Sequence, residues 1–64
     1  MKPDELRRIR KRMGLTQLEL AEEIGVARNT VTRWEMGLVA MPGPMAKLIR
    51  LIAAQRKAGK KGGK

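Results

Sequence analysis

The sequence contains no Cys, His, Ser, Tyr or Phe among its 64 residues. Ser, Cys, His and Tyr supply most of the nucleophiles and general acids or bases that act near neutral pH, so we do not expect an enzyme and predict no catalytic residues. Without Cys and His the chain has neither a disulfide nor a thiolate or imidazole metal site. We therefore expect no metal. No effector site is visible in the sequence either, so no cofactor and no small-molecule ligand is expected.

Long apolar segments are also lacking. The longest uninterrupted apolar stretches, residues 38–41 and 51–54, have four residues each, whereas a membrane-spanning helix needs about 20 such residues. The N-terminal segment has no apolar region of the signal-peptide kind. These features predict a cytoplasmic protein with no membrane contact.

Negative charge is scarce, because 15 Lys and Arg residues face only 6 Asp and Glu residues and the net charge is +9. The excess lies at the two ends: residues 1–13 carry +4 and residues 38–64 carry +7, while residues 14–37 carry −2. This distribution favours an anionic partner but argues against a continuous basic helix on a membrane surface. A single core in so short a chain provides only about 3–5 kcal/mol of stability, so a partner subunit is also expected.

Glycine, proline and capping residues divide the chain into four predicted helices, and no strand pattern occurs. Pro3 suits the first position of a helix, and Thr16 with Glu19 is typical of a capping box. Three glycines are predicted to end the first three helices: Gly14, Gly25 and Gly37. The predicted helices cover residues 3–13, 17–24, 28–36 and 44–57. They form one all-α domain over residues 1–58, and residues 59–64 are too polar and glycine-rich to fold.

The second and third predicted helices have the spacing of a helix-turn-helix unit. Ala21 is small enough to let the two helices cross closely, and Gly25 makes the sharp turn between them. Five apolar residues fill the angle between the helices: Leu20, Ile24, Val26, Val31 and Trp34. A charged residue at any of these positions would be buried.

The run from Leu15 to Gly37 begins Leu-Thr-Gln-Leu-Glu-Leu-Ala and ends Val-Thr-Arg-Trp-Glu-Met-Gly. It resembles the phage-repressor and Cro type of helix-turn-helix, also called the Xre-like family, and the resemblance covers about residues 4–52. It implies an all-α repressor-like fold, usually of five helices. This chain is predicted to form a compact four-helix version, because nothing after residue 57 can make a fifth helix. The resemblance also implies a homodimer that binds operator DNA, mostly to repress transcription, in the cytoplasm on the nucleoid.

The resemblance places the third helix in the major groove with its N-terminal residues against base edges. The positions that match the base-reading residues are Arg28, Asn29 and Arg33, with Thr32 nearby. Their chemistry agrees, because Arg pairs with guanine and Asn with adenine through two hydrogen bonds each. The alternative is that these polar residues merely solvate an exposed helix face.

Other residues match family positions that contact the DNA backbone or connect helices. Thr16 and Gln17 match positions where the start of the second helix meets a phosphate, although Thr16 is already explained as an N-cap. Arg10 and Glu35 match an ion pair that joins the first helix to the third and brings Arg10 near the backbone. We expect this pair mainly to stabilise the fold. Removing one of its two residues should cost more stability than replacing both, because a lone charge would be left behind.

Two features depart from the family pattern. Ala27 stands where Ser or Thr often caps the third helix, and the loop after Gly37 is apolar where relatives often have basic residues. The fourth predicted helix is apolar on two sides, with Leu48, Leu51 and Ile52 assigned to the core. The remaining apolar residues, predicted to form the dimer contact, are Met41, Met45 and Ile49. A fuller monomer core is the alternative.

Two other functions stay open on the sequence. An antitoxin-type module would bind a protein through the fourth helix, with DNA binding secondary. Non-specific coating of nucleic acid, or RNA binding, is disfavoured because Trp34 is the single aromatic residue and is predicted to face inward, which leaves no side chain for base stacking.

Overall fold

The computed structural model describes residues 1–62, and these form four α-helices with no strand among them. The helices are α1 (Pro3–Met13), α2 (Gln17–Ile24), α3 (Arg28–Met36) and α4 (Gly43–Gly62). The first three have the predicted bounds. The all-α class is confirmed, and the short connections place α2 and α3 as adjacent helices of one unit.

Local capping explains why the first three helices begin and end where they do. Pro3 opens α1, and Asp4 and Glu5 lie in its first turn, where negative charge favours the helix dipole. At α2 the Glu19 N–H donates to Thr16 Oγ1 at 3.1 Å, and the Thr16 N–H donates to Glu19 Oε1 at 2.8 Å. Gly25 ends α2 with a φ of 79°, a left-handed conformation that glycine adopts at little cost.

The core lies between the four helices: α3 packs against α1 and α2, and α4 packs against the same two helices. Its buried apolar residues are Leu6, Leu20, Ala21, Ile24, Val31, Trp34 and Ile49. Ala21 is fully buried, as expected for a small residue at the crossing of α2 and α3. Trp34 is 5% exposed, so the single aromatic ring belongs to the core. This packing fixes the outward face of α3 relative to the start of α2.

The fourth helix differs from prediction in which side it buries. Ile49 is fully buried and Leu51 is 57% exposed, the reverse of what the sequence predicted. Met41 and Met45 are partly buried and pack against the core. Apolar residues occupy more than one side of this helix, so spacing alone left its rotation open, and the observed rotation buries Ala46 and Ile49. The predicted dimer contact at Met41, Met45 and Ile49 therefore packs inside the monomer.

The fourth helix also ends later than the predicted residue 57. It continues to Gly62, so residues 59–62, predicted to be disordered, are helical, while residues 63–64 lie outside the described part of the chain. A helix that is already packed on a core gains one backbone hydrogen bond for each further residue. Glycine at position 59 is about 1 kcal/mol less favourable than alanine in a helix, and the helix continues through it. Across the described residues no helix has the length and apolar character needed to span a membrane.

Candidate nucleic-acid interface

The outward face of α3 carries the residues predicted to read bases. Arg28, Asn29 and Arg33 are all exposed, while Val31 and Trp34 on the opposite side are buried. At about 100° per residue the three exposed side chains fall within an arc of about 140°. The fold therefore leaves one polar face of α3 open to a partner.

The N-terminal end of α3 is open as well. Ala27 occupies the N-cap with φ −74° and ψ 150°, and it provides no side-chain hydrogen bond to the helix. The first backbone N–H groups of a helix have no partner within the helix, so they favour an anion or a hydrogen-bond acceptor there. The departure from the family at position 27 thus leaves this helix end without a side-chain cap.

A partly buried polar network joins α1, α2 and α3 behind this face. Arg10 donates to Glu35 twice, from Nε to Oε2 at 2.6 Å and from Nη2 to Oε1 at 3.2 Å. Arg10 Nη1 also donates to the Leu15 carbonyl oxygen at 3.0 Å, which holds the loop before α2. Gln17 Nε2 donates to Glu35 Oε1 at 3.1 Å. One carboxylate therefore connects the three helices.

The network continues from Gln17 to α3. The Thr32 hydroxyl donates to Gln17 Oε1 at 2.7 Å and lies 3.2 Å from the Arg28 carbonyl oxygen. The structure therefore places Thr32 in an internal contact rather than among the freely exposed side chains of α3. This contact sets the position of α3 against the first residue of α2, which residue spacing alone did not indicate.

Glu35 is charged although it is only 3% exposed. Burial by itself would raise its pKa, but the hydrogen bonds from Arg10 and Gln17, together with the charges of Arg10 and Arg7, lower the pKa below its ordinary value of 4.5. Arg7 Nε lies 3.8 Å from Glu35 Oε1, and its side chain is 48% exposed. The sequence pattern did not single out Arg7, although its position one turn before Arg10 on α1 was an available indication.

The residues predicted to hold phosphate line one open hollow. Arg10, Thr16 and Gln17 share it with Arg28, and its volume is about 490 Å³. The hollow lies at the N-terminus of α2, where the helix dipole and outward N–H groups favour an anion. The amide nitrogen and the amide oxygen of the Gln17 side chain are both hydrogen-bonded within the protein. Its backbone N–H is therefore the group most available for a phosphate.

A protein-family model described as helix-turn-helix matches residues 6–54, more than three quarters of the chain. The chain belongs to the Xre-like helix-turn-helix family. No curated protein and no solved structure matches it. As an Xre-like helix-turn-helix protein it is a DNA-binding transcription regulator, of a family whose members are typically not enzymes.

Proposed function

We propose that the chain is a repressor that binds an inverted-repeat operator as a dimer, with α3 of each copy in the major groove. The observation that carries this proposal is the exposed face of Arg28, Asn29 and Arg33, on a helix whose other side is locked into the core. In a helix-turn-helix protein the second helix of the motif, here α3, enters the major groove. The first helix of the motif, here α2, crosses the DNA backbone.

The chemistry of each exposed side chain indicates the base that it contacts. Arg28 and Arg33 each pair with guanine O6 and N7, and Asn29 pairs with adenine N6 and N7. Thr32 supports them from behind through its hydrogen bond to Gln17, so we assign it to positioning before base contact. Arg33 lies farthest along the helix and reads a different base pair from Arg28.

Backbone contacts set the register of the protein on the duplex. A phosphate in the hollow at the start of α2 meets the first-turn N–H groups, the Thr16 hydroxyl and the cation of Arg10. Two copies bound to half-sites about 34 Å apart lie on the same side of the duplex. A dimer held there blocks access of a polymerase to the same DNA, which is repression.

The antitoxin alternative requires an apolar surface on α4. Among the large apolar side chains that the structure describes, this helix exposes only Leu51. The surface that a protein partner would need on α4 is therefore small, and the regulator is the better-supported function.

Selection from a random duplex pool tests the proposal. We expect one enriched palindrome, and we expect Arg33→Ala to lose about 1–3 kcal/mol of binding free energy and to relax preference at one base pair of each half-site. Lys47→Ala, which removes an exposed charge from α4, is the control and should keep the preferred sequence. A pool with no enriched sequence would contradict the regulator. Uniform weakening by Arg33→Ala would show that this residue contacts only phosphate.

A further inference from the structure

One apolar side chain lines the hollow at the start of α2. Leu18, the second residue of α2, is 50% exposed and shares this hollow of about 490 Å³ with Arg10, Thr16 and Arg28. Single exposed apolar residues are ordinary on protein surfaces. Leu18 differs from the other large apolar residues exposed in the described part of the chain, because none of them lines this hollow. An apolar group therefore lies among groups that attract an anion.

The backbone around Leu18 is held in place by the capping box. Thr16 and Glu19 exchange two hydrogen bonds, at 2.8 and 3.1 Å, across the turn that contains Leu18. On the inner side of the same helix Leu20 and Ala21 are fully buried, so a rotation of α2 that covered Leu18 would expose them. The apolar surface of Leu18 is therefore ordered before any partner binds.

Backbone N–H groups next to this side chain are available to an acceptor. The Glu19 N–H donates to Thr16 Oγ1, and the Leu20 N–H donates to the Thr16 carbonyl oxygen at 2.9 Å. Among the hydrogen bonds of the described residues, none uses the N–H of Gln17 or Leu18, as is usual for the first turn of a helix. Leu18 therefore presents a polar N–H and an apolar side chain side by side.

A phosphodiester of DNA suits this mixed surface better than a free phosphate ion does. The described lining of the hollow includes the cations of Arg10 and Arg28 and no acidic side chain, so its charge favours a phosphate. In DNA each phosphate is joined to the carbon atoms of deoxyribose, and thymine adds a methyl group at the edge of the major groove. A free phosphate ion has only oxygen atoms at its surface and would leave Leu18 uncovered.

We propose that the side chain of Leu18 contacts DNA, on the C–H groups next to the phosphate that the start of α2 holds. This inference rests on the proposed function and adds an apolar contact from α2 to the polar contacts of α3. The contact removes apolar surface from water and neutralises no charge, so the affinity that it adds does not depend on salt. Deoxyribose carbons and a thymine methyl group offer the same apolar chemistry, and the experiment below distinguishes them.

Salt titrations of DNA binding by Leu18→Ala test the contact. Alanine favours a helix and removes only apolar surface. Affinity for the selected duplex should therefore fall about threefold to tenfold, with an unchanged slope of log affinity against log salt. Leu51→Ala is the matched control, since Leu51 is a leucine on α4 with a similar exposure of 57%, and it should bind like the wild type. Leu18→Met keeps an apolar side chain of similar size and should retain most of the affinity. Equal affinity of Leu18→Ala and wild type, or a loss in which the salt slope also falls, would overturn the proposal.

Replacing each thymine of the selected duplex by uracil identifies the group that Leu18 contacts. If it is a thymine methyl group, one uracil should weaken wild-type binding as much as Leu18→Ala does, and should not weaken that variant further. If it is deoxyribose, no uracil distinguishes the two proteins, and Leu18→Ala also weakens binding to an unselected duplex. If selection enriches no sequence, the proposed function fails, and the unselected duplex then tests Leu18 alone. Binding of Leu18→Ala to every duplex with wild-type affinity would refute the contact.

Discussion

Glu35 is the residue on which the arrangement of the three motif helices most depends. It is 3% exposed and accepts hydrogen bonds from Arg10 and Gln17, while Arg7 adds a longer ionic contact. The described residues leave no buried side-chain nitrogen or oxygen without a partner. A buried charge is tolerated when its hydrogen-bonding groups all have partners in this way. Removing one of these side chains leaves its partners buried without a hydrogen bond, at the full desolvation cost.

Glu35→Gln should therefore destabilise the domain strongly. The change leaves the Arg10 side chain, 13% exposed, without its counterion, and breaking one side of a buried pair costs about 3–5 kcal/mol. Urea unfolding followed by Trp34 fluorescence measures the loss. The matched control is Glu5→Gln, which removes the exposed pair with Arg50 at 3.2 Å and should leave the midpoint unchanged. Because such a loss approaches the total stability of a small domain, the double variant Arg10→Met/Glu35→Gln completes the test and should recover part of the stability.

The same pair predicts how stability depends on pH. The folded-state pKa of Glu35 is below 4.5, so its contribution is complete above that value and is lost as pH falls through the folded-state pKa. Wild-type stability should decline as the pH falls below 4.5, and the variants lacking Glu35 should decline less. Equal acid sensitivity of wild type and Glu35→Gln, or an unfolding midpoint that Glu35→Gln does not change, would contradict the role assigned to this carboxylate.

At the scale of helices, the sequence predicted the parts that local chemistry controls. Proline at Pro3, the capping box at Thr16 and the glycine stops depend on residues within one turn, so the bounds of α1, α2 and α3 were predictable. The rotation of α4 was not, because its apolar residues fit two inward faces and only contact with α1 and α2 selects Ile49. The exposed face of α3 was predictable, because the spacing of its apolar residues indicates a single inward side. The hydrogen bond between Thr32 and Gln17 was not, because it depends on how α3 packs against α2.

The turn between α2 and α3 requires glycine at position 25 because of its backbone conformation, not because a side chain would lack room there. A methyl group added at Gly25 would meet no atom within 4 Å, yet φ is +79° there. Gly25→Ala should therefore cost about 1–2 kcal/mol of unfolding free energy from backbone strain alone. Gly43→Ala is the matched control, since it also meets no atom within 4 Å but has no left-handed φ, and it should be neutral or slightly stabilising. Equal midpoints for the two variants in thermal unfolding would show that the turn carries no such strain.

At the scale of the whole molecule, the charge separates into two functions. The helix-turn-helix segment 14–37 has a net charge of −2, and its only cations are Arg28 and Arg33, both on the open face of α3. The remaining excess lies before and after this segment. Attraction to any duplex and choice among duplexes therefore depend on different residues, and one can be changed without the other.

Salt dependence of binding separates these functions. Replacing Lys60, Lys61 and Lys64 by Gln keeps the chain length, and each phosphate contact that is lost should lower the slope of log affinity against log salt by about 0.9. We expect the slope to fall by at least that amount while the selected sequence stays the same, because these lysines are not residues of α3. Lys47→Gln is the single-charge control and should leave the slope unchanged. An unchanged slope in the triple variant would show that the lysines of 59–64 only solubilise the chain, and a changed preferred sequence would show that the two functions are not separate.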